Sequence, residues 1–185
     1  MNAVPEVLPR TACRRRHTRE IFLEAAIDLD RSEPVVVSTD IGFLNHQIAQ
    51  LARQAGFALW LSCEAGPHAD ARLVLEDCAL ELGAALSQVA DTAARESRRE
   101  VAVAVEDARA AVRIDFAAPA GALFEGDFGT QTVGGLPLDL IPAFFHALGC
   151  ALGAGIRIRV SGPVPTHRVA ASFRGFGVAI REMIG

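Results

Sequence analysis

Val35-Val36-Val37-Ser38-Thr39-Asp40-Ile41-Gly42-Phe43-Leu44-Asn45-His46 opens on a β-branched run and passes into helical spacing. Branched Cβ atoms favour extended backbone, so Pro34 to Ser38 reads as a strand. Thr39 or Asp40 can cap the helix that follows. Its apolar positions Ile41, Leu44, Ile48, Leu51 and Ala55 recur at helical spacing, and Gly56 supplies a left-handed stop. A strand running into an amphipathic helix, with His46 on the first turns, is the unit around which the rest is organised.

Upstream, Ile21 to Leu29 reads as a strand; downstream, Phe57 to Cys63 alternates apolar residues onto one face. Leu75, Cys78, Ala79, Leu82, Ala85, Leu86 and Val89 mark a helix from Ala71 to Val89. The polar stretch Asp91 to Glu100 separates this half from a second. There Val101 to Val105 and Ala111 to Phe116 are predicted strands, Leu136 to Leu152 a helix, Ile156 to Val160 a strand and Arg168 to Met183 a closing helix. The order strand-strand-helix-strand-helix therefore occurs twice, and an offset of 94 sets Gly83 on Gly177. This predicts an α+β fold of duplicated half-domains, its sheets packed against paired helices. Residues 1–10 are expected to be a flexible N-terminus and 11–185 a single domain, with halves at about 11–95 and 96–185.

Half of the 185 residues are hydrophobic (51%), enough for a sizeable core, and the net charge is −4. An acidic chain is poorly suited to displacing counterions from nucleic acid. Arg10, Arg14-Arg15-Arg16 and Arg19 form a local exception, read as a solvated flank, with a nucleic-acid arm or anion-binding edge as the alternative. The sequence offers no membrane-length apolar run and no secretory leader, so a cytoplasmic location is expected. Cys13, Cys63, Cys78 and Cys150 lack metal-site spacing and suit reduced thiols, two of them in the core. The chain has no lysine, which removes Schiff-base chemistry and the P-loop pattern. His46, Glu76 and His167 all fall near predicted helix starts; imidazole and carboxylate together suit Mn, Fe or Zn.

Four segments carry a family resemblance. Ser38 to His46 resembles the TGIGFLDHM segment of imidazoleglycerol-phosphate dehydratases. Asp70 to Asp77 (DARLVLED) resembles that family's DDHHTVED motif, and Thr166 to Arg174 (THRVAASFR) resembles its HHxxEAxFK motif. Arg16 to Glu20 (RHTRE) resembles its N-terminal RxTxET. The resemblance runs from about Thr11 to Glu182. It implies a ribosomal protein S5 domain 2-like fold and a 24-mer with two manganese ions held between subunits by histidines and glutamates; with the metals lost, a smaller homo-oligomer (trimer or larger) is expected. It also implies a carbon–oxygen lyase step in histidine biosynthesis, where metals supply the charge stabilisation needed to remove a carbon-bound proton and expel hydroxide.

The ligands implied by the resemblance carry over unevenly. The first-segment histidine is His46, preceded by Asn45 in place of aspartate. The first histidine pair is replaced by Arg72 and Leu73, while its glutamate remains as Glu76. Arg157 stands where the penultimate strand has histidine. The second pair is Thr166 and His167, and its glutamate is replaced by Ala170. His46, Glu76 and His167 are thus the candidate metal ligands, and Glu20 and Glu76 the candidate catalytic residues. Arg16, Glu20, Arg98 and Arg174 are the candidate substrate contacts, Arg174 standing where the family has lysine. The family's serine-glycine-arginine phosphate segment reads Phe116-Ala117-Ala118-Pro119, and its serine-lysine contact would fall beyond Gly185.

Two expectations follow. Arg72 and Glu76, four apart on a helix, should meet, and Arg72 with Arg157 should neutralise carboxylates that a dication would otherwise balance. The chain is then an impaired or non-catalytic paralogue that no longer holds manganese and offers a pocket for a small phosphorylated ligand. The alternative is an active lyase with a reduced metal centre acting on imidazole glycerol phosphate or a related phosphate ester.

Overall fold

Alternation builds the sheets. The computed structural model describes residues 9–184. In β2 (Ile21–Asp28), Ile21, Leu23, Ala25 and Ile27 are buried and the residues between them are not, the period-two pattern of a sheet with one wet face. Strand β2 pairs antiparallel with β1 (Thr11–His17) and β4 (Ala58–Ala65), and β4 pairs in parallel with β3 (Val35–Ser38). The first sheet therefore has the order β1-β2-β4-β3, with α1 (Gly42–Ala55) and α2 (Ala71–Val89) packed on it.

A short helix α3 (Thr92–Arg95) leads into the second half: β5 (Arg98–Val105), β6 (Ala108–Asp115) and β7 (Gly121–Glu125). A small hairpin, β8 (Thr132–Val133) and β9 (Leu136–Pro137), precedes α4 (Ile141–Leu152), β10 (Gly155–Ser161) and α5 (Pro165–Ile184). The order β5-β6-β10-β7 repeats the topology of the first sheet. The architecture is the expected α+β duplication. Among the described residues no helix is long and apolar enough to cross a membrane.

Each four-stranded sheet carries one strand more than its sequence suggests, and the β8–β9 hairpin is unpredicted as well. β1 holds the arginine run expected as a solvated flank; it is extended because Arg14 and Arg16 turn inward onto acidic residues of α2. β7 is short and lies among Ala, Gly and Pro, so it lacks a periodic signature. The equivalence between halves shifts accordingly: β2 matches β6 and β3 matches β7, and the first two predicted strands of each half are not counterparts. Of the N-terminal segment expected to be flexible, residues 1–8 lie outside the described residues. Arg10 is held, its Nε donating to Asp30 Oδ1 at 2.9 Å and a guanidinium nitrogen to the Ile184 carbonyl at 2.5 Å.

Two helix starts differ from expectation. Neither Thr39 nor Asp40 caps α1, whose N-cap is Ile41. Thr39 Oγ1 instead accepts the Ile41 N–H at 3.0 Å, and Asn45 Oδ1 accepts the Thr39 N–H at 3.0 Å, closing the loop before the helix. The helix predicted from Leu136 begins only at Ile141, after β9 and a 3-10 turn at Leu138–Leu140, with proline in its first turn.

The duplication is clearest where helices cross. α2 packs against α4, and α1 against α5, so each half completes the core of the other. A Cβ on Gly83 would stand 2.6 Å from the Leu148 carbonyl oxygen, and one on Gly177 would stand 2.4 Å from that of Leu51. The two glycines are 94 apart and their partners 97 apart, as one pseudo-symmetric contact made twice. Between α4 and α5, Phe144, Phe145, Phe173 and Phe176 are fully buried, with Phe144 and Phe173 ring centroids 4.9 Å apart.

Candidate functional site

His46 projects from the first turns of α1 and is exposed. The residue before it, Asn45, is spent on structure: its Nδ2 donates to the Thr39 carbonyl at 3.0 Å while its Oδ1 accepts from Thr39. Glu76 lies in the second turn of α2, below an N-cap in which Asp70 accepts the Leu73 N–H at 2.8 Å. The helix brings Arg72 over it as the spacing predicts, with 2.7 Å between guanidinium nitrogen and Glu76 Oε1. Exposed as it is, the pair contributes only about 0.3–0.5 kcal/mol to stability. Its consequence is local, because the carboxylate that the resemblance expects to meet a metal ion faces a cation of the chain itself.

His167 begins α5 and places Nδ1 2.7 Å from Asp107 Oδ1. Asp107 occupies the two-residue turn between β5 and β6, where Glu106 takes a left-handed φ of 53°. The carboxylate can only accept, so Nδ1 carries the proton and Nε2 is left as the open face when the ring is neutral. Sequence reading missed Asp107. Among the described residues, no three His, Cys, Asp or Glu side chains gather in a way that could hold a metal ion, so this chain does not by itself bring His46, Glu76 and His167 together.

The candidate substrate residues are scattered. Glu20 sits in the turn between β1 and β2, where its carbonyl accepts the Gly66 N–H at 2.7 Å. Beside it a depression of about 240 Å³ is lined by Arg19, Glu64 and Gly66. Arg98 is exposed at the start of β5, opposite Asp115. Arg174 lies mid-way along α5, half-buried, with its Nε sealed from water and lacking a hydrogen-bond partner.

Arg16 is not free for a substrate. Its Nε stands 3.2 Å from Asp77 Oδ2 and another nitrogen 3.8 Å from Glu81 Oε1, while Arg14 Nε reaches Glu81 Oε2 at 3.1 Å. These carboxylates are buried in α2, which explains why an arginine run lies in a strand of this domain. Burial pushes the Asp77 carboxyl above its ordinary value of 3.8 against the pull of Arg16, with Glu81 and Glu76 adding to the rise. The native chain therefore holds its proton longer than the unfolded chain does. Stability is lost as pH rises from 3.8 through the raised folded value, the cost being absent below that window and complete above it. Asp77→Asn is expected to gain stability relative to the parent across this window, measured by urea unfolding at a series of pH values. A difference independent of pH would contradict burial as the dominant cause.

Arg157 departs from expectation. It lies on the outer face of β10, directly opposite Arg113 of β6, and neutralises no carboxylate among the described residues. Glu100 is occupied by Arg113 Nε at 3.2 Å and by Arg159 at 3.0 Å. The alternating positions Arg157 and Arg159 signal a shared strand face in the sequence; the opposing arginine does not show there, because it depends on sheet register.

Comparison with known proteins fits this geometry. Residues 39–180 match the imidazoleglycerol-phosphate dehydratase family. The histidine biosynthesis bifunctional protein HisB of Stenotrophomonas maltophilia (strain K279a) is 32% identical over 176 residues, covering 95% of this chain and 49% of that protein. HisB of Legionella pneumophila (strain Philadelphia 1) is 31% identical over 173 residues. The chain spans about half the length of these curated relatives. In structure it resembles imidazoleglycerol-phosphate dehydratase from Staphylococcus aureus, with a TM-score of 0.79 and 22% identity, covering 94% of this chain and 97% of that one. It also resembles the Pyrococcus furiosus IGPD solved in complex with (S)-C348, with a TM-score of 0.78 and 24% identity, covering 91% of each chain. The structural likenesses establish the fold, and the sequence matches establish descent: the chain belongs to the imidazoleglycerol-phosphate dehydratase family.

Proposed function

We propose that this chain is a non-catalytic member of its family, descended from the dehydratase of histidine biosynthesis. In this reading it acts in the cytoplasm as a homo-oligomer, trimeric or larger, that binds a small phosphorylated ligand. The observation that carries the reading is the Arg72–Glu76 pair at 2.7 Å, which sets a fixed positive charge against the carboxylate ligand that survives in the first motif. At other positions that the resemblance assigns to metal ligands, Leu73, Thr166 and Ala170 offer no imidazole or carboxylate. The donor set therefore does not suit a two-manganese centre, and no catalytic step is assigned to it.

The test is genetic. Expressed in a strain lacking the dehydratase, the chain is expected to leave the histidine requirement in place, with an intact dehydratase restoring growth in parallel. Rescue by this chain would overturn the proposal. One observation favours the second reading, a lyase with a reduced metal centre: Asp107 orients the His167 ring with Nε2 outward, as an outer-shell carboxylate does for a metal-ligating histidine. Rescue would support that reading.

A further inference from the structure

The outer face of the second sheet carries a surplus of positive charge. Arg98, Arg109, Arg113, Arg157 and Arg159 stand there against Glu100, Asp115 and Glu125, five positive groups against three negative, a surplus of two. Arg113 and Arg157 occupy directly opposing positions, a placement that repels unless something of opposite charge lies between them. Glu100 serves Arg113 and Arg159 and leaves Arg157 without an ion pair among the described residues. Arg113 Nε is sealed from water yet makes no hydrogen bond of good geometry.

We propose that Arg113, Arg157 and Arg159 bind the phosphate dianion of a small phosphorylated metabolite. The three arginines, with Glu100 and Ala111, line a polar cavity of about 220 Å³. Guanidinium forks match phosphate oxygens two at a time, and a doubly charged anion matches the surplus where a monocarboxylate would not. A second cavity of about 390 Å³ adjoins it, sharing Arg113 and Arg157, with Pro119, Leu123 and Ile156 among its walls. It is the space for the compact body of a phosphate ester. The face where the family resemblance expects a histidine ligand for a cation is here built for an anion. The proposal names the site for the small phosphorylated ligand of the reading above and rests on that reading; its failure would leave the metal question untouched.

Isothermal titration of the purified chain with inorganic phosphate, sulfate and acetate tests it. Phosphate and sulfate are expected to bind saturably and acetate not to. Phosphate binding should weaken as pH falls and it becomes singly charged, while sulfate binding holds. Arg157→Gln, at an exposed position, should weaken phosphate roughly ten- to a hundredfold with an unchanged unfolding midpoint, and Arg53→Gln, exposed on α1 and outside the cavity, should change it little. Equal binding by Arg157→Gln and the parent, or no saturable binding to the parent, would overturn the proposal. Acetate binding as tight as phosphate would overturn the choice of a dianion.

Discussion

Gly177→Val is expected to destabilise the chain by about 1–3 kcal/mol or more, the cost of forcing extra volume into a packed core. The new Cβ would meet the Leu51 carbonyl oxygen at 2.4 Å and the Ala55 amide nitrogen at 3.2 Å, both backbone atoms of α1 with no rotamer to yield. Relief requires α5 to move away from α1, which opens the junction between halves. Gly83→Val is expected to act alike, since its Cβ would meet the Leu148 carbonyl oxygen at 2.6 Å. The contrast is Gly42→Ala, where a Cβ meets nothing within 4 Å and the backbone has no left-handed requirement. There the change should be neutral or stabilising by about 0.5–1 kcal/mol. Urea midpoints of the three variants check the set. If Gly177→Val unfolds at the parent's midpoint, the close crossing is not what joins the halves.

The second large effect concerns manganese. Loss of a metal-supporting group commonly weakens binding about 10–100-fold, and five positions implied by the family resemblance are filled by Arg72, Leu73, Arg157, Thr166 and Ala170. Two independent losses of that size already give roughly 10²–10⁴-fold, and Arg72 adds repulsion beside Glu76. Manganese affinity is therefore expected to lie several powers of ten below that of an intact family member, measured by competition with a chelator. Arg72→His should move it back toward the family by freeing Glu76 and restoring an imidazole. An Arg72→His affinity equal to the parent's would show that the ion pair is not what blocks this position.

Much of the fold could be read before the structure was known, because local rules determine it. α2 shows its buried stripe in the sequence and spans the residues predicted, Ala71–Val89, and Gly56 ends α1 with a φ of 80°. β1 was hidden for a physical reason. Its Arg14 and Arg16 are half-buried ion-pair partners of the buried Glu81 and Asp77, 67 residues away in the case of Arg14 and Glu81, and a charge run by itself reads as solvated. The candidate site divides in the same way. Arg72 and Glu76 meet through helical spacing alone. Asp107 finds His167 across 60 residues, and Arg157 faces Arg113 only because β6 and β10 share a register. Contacts made by periodicity are legible in one sequence, and contacts made by topology are not.

In the proposed reading the family fold persists in this chain without a manganese centre. The most direct test purifies the full chain from manganese-supplemented cells, dialyses it, and measures bound manganese together with turnover of imidazole glycerol phosphate. Substoichiometric manganese and no turnover is the predicted result. Manganese retained at one or more ions per chain, with dehydration of the substrate, would contradict it.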